Sequence, residues 1–211
     1  MVLTRRATLT LALSALATPA LIRPGLAAQC RALDLVQGVK FTRQDGSKGR
    51  AWQESDGRVR IDYVTNRGAA FDLRRVKDGV FEVELVVELS EEPVVGASAP
   101  TYRWTFGRST HVPEPGQGWS GTVRETREVT VSDENATVLR QKTRWTATYA
   151  FLEEREVKLS GCTYTTIGVE ATSVGKGGTH SLRSVYFTDL GLALETRRDG
   201  AADGIVAMGP V

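Results

Sequence analysis

Histidine, cysteine and methionine are scarce, two of each in 211 residues. A metal centre needs three or four converging ligands. His111 and His180 stand far apart and neither sits in a ligand cluster, so no metal or cofactor is expected. Cys30 and Cys162 lack the Cys-x-x-Cys spacing of a redox or zinc pair. No Gly-x-x-x-x-Gly-Lys-Ser/Thr phosphate loop occurs. Gly175-Lys176-Gly177-Gly178 precedes a strand pattern and reads as a turn. Gly118-Trp119-Ser120-Gly121 comes near a nucleophile elbow but lacks its glycine spacing and its strand-turn-helix context. No segment carries a convincing apolar stripe of 3.6-residue period over helical length. Catalysis is therefore the weaker reading, and its form would be a hydrolase using His111 or His180.

Long apolar runs are missing too. The nearest, Leu9 to Ile22, is too short and interrupted for a comfortable membrane span. It follows Arg5-Arg6 and leads into Arg23-Pro24-Gly25-Leu26-Ala27-Ala28, the layout of a secretory signal peptide over residues 1–28. The paired arginines resemble a twin-arginine signal, with Thr8 departing from that motif; a general secretory signal is the alternative. Gln29 before Cys30 does not satisfy the rule for a lipid-modified cysteine. The expected location is the bacterial periplasm. Without those residues, Lys plus Arg falls from 27 to 24 against 25 acids, a net charge of −1. Such a balance gives no global reason to bind nucleic acid or anionic lipid. In an exported chain, two cysteines suggest a bridge between Cys30 and Cys162.

What the sequence has in quantity is alternation. Val59, Ile61 and Tyr63 alternate with Arg58, Arg60 and Asp62; Phe81, Val83, Leu85, Val87 and Leu89 alternate with Glu82, Glu84, Val86 and Glu88. Period two is the pattern of a strand with one buried face. Glu82, Glu84 and Glu88 would then share a solvated face. Asp45-Gly46, Asp56-Gly57 and Asp78-Gly79 separate such runs and signal hairpins. Gly107 to Gly118, with Pro113 and Pro115, reads as a loop. Trp119 to Val131 and Thr137 to Phe151 read as long strands, with Trp145, Ala147, Tyr149 and Phe151 on one face. Separate strands are expected over Glu156 to Ser160, Thr165 to Thr172 and His180 to Thr188, and from Leu190-Gly191 to Thr196. The expected fold is all-β: one curved antiparallel sheet or partly open barrel of about ten to twelve strands in a meander. It would occupy 29–199, with 200–211 a disordered tail.

Trp52 to Tyr63, Pro113-x-Pro115-Gly116-x-Gly118-Trp119, Gly161-Cys162-x-Tyr164 and Tyr186-Phe187-Thr188-Asp189-Leu190-Gly191 resemble a family of bacterial periplasmic β-domains of uncharacterised function. The plan is more remotely similar to the lipoprotein-carrier half-barrels. That second resemblance implies one curved sheet wrapped around an apolar groove. Both rest on turns and strand ends, and neither carries a catalytic residue across.

The candidate ligand-binding side chains are therefore aromatic. Trp104, Trp119 and Tyr149 are the positions expected to line a groove, with Trp119 at its mouth. The expected partners are an apolar small molecule or an envelope component. A structural or partner-binding module using an exposed strand edge or the Pro113–Pro115 loop is the alternative.

Overall fold

The computed structural model describes residues 33–64, 70–89, 97–131, 136–199, 201–202 and 204–211. These form a single antiparallel sheet and no helix. The strands are β1 (Val39–Arg43), β2 (Lys48–Gln53), β3 (Val59–Val64), β4 (Ala70–Lys77), β5 (Phe81–Leu89), β6 (Thr101–Phe106), β7 (Gly118–Val131), β8 (Thr137–Leu159), β9 (Cys162–Gly175), β10 (Gly178–Phe187), β11 (Leu192–Arg198), β12 (Ala201–Ala202) and β13 (Ile205–Pro210). Each pairs with its sequence neighbour from β1 to β12, and β13 returns to pair with β1. The sheet is nearly closed into a barrel. One seam stays unsealed, since no strand pairing joins β11 or β12 to β13 among the described residues.

Local chemistry accounts for the hairpins. Asp78 and Gly79 have φ of 51° and 71°, and the Val80 N–H donates to Lys77 O at 3.2 Å. Ser160 and Gly161, at 53° and 81°, join β8 to β9. Two successive positive φ values make the type I′ turn whose twist matches the strands it connects.

The seam is held by side contacts instead of a ladder. The Ala193 N–H donates to Gly79 O at 2.8 Å. The Met208 N–H donates to Ser160 Oγ at 3.1 Å. β13 meets the end of β8 across the sheet, and β11 is buried on both faces. Leu192 and Leu194 point into a cluster with Val39, Phe41, Ile61 and Met208. Ala193 points into a second cluster with Phe81, Trp119, Trp145 and Phe151. That is why Leu192-Ala193-Leu194 shows no polar alternation.

Three expectations need correction. The tail is ordered from Ile205 onward: β13 lies against β1, with Met208 opposite Phe41 and 6% exposed. Glu156 to Ser160 is no separate strand but the end of the 23-residue β8, which passes through an irregularity at Leu152 and Glu153. Glu82 and Glu84 do not share one solvated face, and the Glu88 side chain lies outside the described residues. Arg75 pairs with Glu84 and Val76 with Glu82, which leaves Val83 as the extra residue of a β-bulge. A bulge re-aims the residues beside it. Glu82 consequently lines the barrel interior, while Glu84 forms an ion pair with Arg75 at 3.3 Å.

Candidate ligand cavity

The interior between β3 and β11 contains a cavity of about 270 Å³. Its walls are made by inward positions of strands that alternate. Tyr102, Trp104 and Phe106 come from β6, Val123 and Glu125 from β7, and Trp145, Ala147 and Tyr149 from β8. Between them Arg103, Thr105, Arg124, Thr146 and Thr148 point outward. Tyr102 stacks on Trp104 at 6.0 Å and 13°, and the Trp104 N–H donates to Glu125 Oε2 at 3.1 Å. Small residues across the wall, Ala171, Ser173 and Ala193, leave the space that these rings do not fill.

One end is closed by aromatic packing. Phe81, 0% exposed, is at the centre of it. Its ring lies 4.7 Å from Tyr149, 5.3 Å from Phe106, 5.8 Å from Trp119 and 6.4 Å from Phe151. Edge contacts at these distances are the favoured aromatic geometry.

A charged network crosses the interior. Arg74 of β4 reaches Glu195 of β11 at 2.5 Å, Asp72 at 3.3 Å and Glu82 at 3.5 Å. Arg198 binds Glu195 at 2.8 Å and approaches Glu82 at 3.8 Å. Burial works against the Arg74 charge, but Glu82 and Glu195 outweigh it and raise its pKa above the ordinary value. Burial also pushes the Glu195 carboxyl up; Arg74 and Arg198 overcome this and hold it at about 2. Burial, with Glu82 nearby, raises the pKa of the Tyr149 hydroxyl and keeps it protonated.

Of the side chains anticipated for a groove, Trp104 and Tyr149 line the cavity. Trp119 does not. It is 5% exposed, packs behind Tyr149 at 5.9 Å and donates its N–H to Ser109 O at 3.0 Å. The histidines are not brought together. His111 hydrogen-bonds the Val112 carbonyl at 3.0 Å and meets the Phe151 ring edge-on. His180 lines the cavity beside Trp145, at 5.3 Å, and pairs with Asp199 at 3.3 Å. Neither ring is bonded to a serine among the described residues. Among those residues, no group of three His, Cys, Asp or Glu could hold a metal ion. Cys162 is 8% exposed at the start of β9; Cys30, Arg5 and Arg6 lie outside the described residues.

Sequence reasoning missed the network; Trp145, one of the four tryptophans that could line a groove, does line it. Glu195 carried a signal, an acid ending the apolar run Leu192-Ala193-Leu194. Arg74 carried another, a charge directly after Leu73 and two residues before Val76. What pairs them is closure of the sheet, which brings β4 opposite β11. No protein-family profile, curated protein or solved structure matches the chain.

Proposed function

We propose that this is an exported, periplasmic, non-enzymatic protein that carries a small apolar ligand inside its barrel. The observation that carries the reading is the interior cavity of about 270 Å³ walled by Tyr102, Trp104, Phe106, Trp145 and Tyr149. Concave, mainly apolar spaces with a few polar groups are what ligand sites look like. An engineered cavity of about 150 Å³ takes up benzene, so this one suits about ten to fifteen heavy atoms, not a diacyl lipid. The outward positions Ser120, Thr122, Arg124, Thr146 and Thr148 are polar and exposed, which suits a water-facing barrel. No helix of the described residues is long and apolar enough to cross a membrane. The resemblance to periplasmic β-domains and the paired arginines support export, and Cys30 bridged to Cys162 would tie the mature N-terminus to β9.

Equilibrium dialysis of the mature protein against 2-ethylnaphthalene tests the reading. Saturable one-to-one uptake is expected. Ser173→Trp, which places a large ring at the cavity wall, should abolish it. Uptake that is absent, or identical in the two proteins, contradicts the proposal.

One observation favours a second reading, a partner-binding module. β8 pairs with β9 only from Trp145 onward, so Thr137 to Arg144 have β7 on one side and, among the described residues, no strand on the other. Such an edge can accept an added strand, although Arg140, Lys142 and Arg144 are also the charges that guard edges against it. Crosslinking from a photoreactive residue at position 141 in envelope extracts decides; no adduct removes this reading.

A further inference from the structure

We infer that the free edge of β8, Thr137 to Arg144, docks an extended acidic segment of a partner protein, which adds to the sheet as a strand and sets carboxylates at alternate positions against Arg140, Lys142 and Arg144. The inference rests on the partner-binding reading of this edge and names the partner's chemistry. It is independent of what the cavity holds.

The outward face of the sheet carries a ladder of charges that alternates in sign along its length. Glu54, just after β2, pairs with Arg75 of β4 at 2.9 Å, and Arg75 with Glu84 of β5 at 3.3 Å. Glu84 lies 3.9 Å from Arg103 of β6, Arg103 is bonded to Glu128 of β7, and Glu128 accepts from Arg140 of β8 at 2.6 Å. Three of these contacts join residues directly opposite each other: Arg75 and Glu84, Glu84 and Arg103, and Glu128 and Arg140. Opposite charges facing each other across two strands favour that pairing. The ladder ends on a cation at β8, and beyond it lies the free edge. The group that continues it is an acid on the next strand, opposite Arg140.

The cations beside Arg140 point to the same partner. Lys142 and Arg144 follow it at the two-residue period of one face. Arg144 stands directly opposite Arg124 of β7, and like charges so placed destabilise a strand pair. Lys142, Arg144 and Arg124 are exposed, and none has a carboxylate partner among the described residues. An added strand with acids at alternate positions neutralises this excess along its whole length.

The same charges work against other strands. Two copies of this chain paired through the edge about a two-fold axis would set Arg140, Lys142 and Arg144 against one another. A basic strand meets the same repulsion. Charges that guard the edge therefore also select what may join it. Exposed ion pairs contribute little one by one, so backbone hydrogen bonds supply the affinity while the charges fix register and choice of partner.

Fluorescence anisotropy of labelled peptides, each of the edge's own length, tests this on the mature protein. One peptide alternates threonine with glutamate, and one alternates threonine with lysine. A third groups the same glutamates at one end. The last is the alternating acidic peptide N-methylated at a central pair of adjacent residues, which blocks both of its edges. The alternating acidic peptide should bind one-to-one, at least about tenfold tighter than the grouped or methylated peptide, and the lysine peptide should not bind. Arg140→Glu combined with Lys142→Glu and Arg144→Glu should reverse the preference to the lysine peptide, a gain that a misfolded variant cannot give. In the wild-type protein, amide exchange at alternate residues of Thr137 to Arg144 should slow with the alternating acidic peptide only. Equal binding of the grouped or methylated acidic peptide would reduce the edge to a general attractor of anions and overturn the inference. So would tighter binding of the lysine peptide, a preference unchanged in the folded triple variant, or crosslinks from position 141 between copies of this chain. Binding of none of the peptides overturns it too; the partner-binding reading then stands if position 141 still gives an adduct with another protein, and falls with the inference if it gives none.

Discussion

Replacing Arg74 by methionine tests the interior ion network. Arg74 is 9% exposed; its guanidinium joins Glu195 at 2.5 Å and lies over the Tyr63 ring at 4.8 Å. Without it, Glu195, 8% exposed, keeps only Arg198, whose side chain is 43% exposed. The Glu195 carboxyl is held at about 2 against an ordinary 4.5. That difference corresponds to about 3 kcal/mol at neutral pH. Most of it should go with Arg74, consistent with the 3–5 kcal/mol typical of breaking a buried pair. Arg74→Met should therefore lose about 2–4 kcal/mol in urea unfolding at pH 7, about 5–15 °C in Tm for a domain of this size. The pH sign follows from a lowered carboxylate pKa. The contribution is complete above about 4.5 and is lost as pH falls from there to about 2. The deficit of Arg74→Met should accordingly shrink between pH 4.5 and pH 2. Arg74→Met combined with Glu195→Gln should recover at least half the loss, because the stranded charge is gone. A deficit under about 1 kcal/mol, or a double variant as unstable as the sum of the singles, refutes the reasoning.

Gly49→Ala should destabilise by about 1–3 kcal/mol, since the new Cβ would lie 2.1 Å from the ring of the buried Phe41; chemical denaturation measures it. Gly79→Ala should cost more, because φ is +71° and the Cβ would meet Gly191 O at 2.1 Å, breaking the contact that closes the sheet across Ala193. Arg5→Lys with Arg6→Lys should abolish periplasmic delivery in a fractionation assay, as a twin-arginine receptor reads the pair and not its charge; normal export would assign the signal to the general secretory route. If Cys30 and Cys162 are bridged, the unreduced native protein shows no reactive thiol, and Cys30→Ser lowers Tm by several degrees.

The strands and hairpins were legible because alternation and Asp-Gly pairs are local signals, as at Val59 to Tyr63 and Asp78-Gly79. The features that make the cavity are not local. Val83 becomes a bulge through the register of β4 against β5, and this turns Glu82 inward where simple alternation turns it out. Met208 looks like part of a polar, glycine-bearing tail until β13 finds β1, some 165 residues earlier. Trp119 and Trp145 are equally aromatic in sequence. Their difference, one packed behind the floor and one on the wall, comes from where the chain closes. Gly175 and Gly177, read as turn residues, also leave room for the Trp145 ring.

The most direct measurement is mass spectrometry of organic extracts from the protein purified out of its own envelope fraction, with Ser173→Trp prepared in parallel. The account predicts one largely apolar compound of about ten to fifteen heavy atoms, near one per protein, in the wild type and missing from Ser173→Trp. Identical extracts from the two proteins would contradict it.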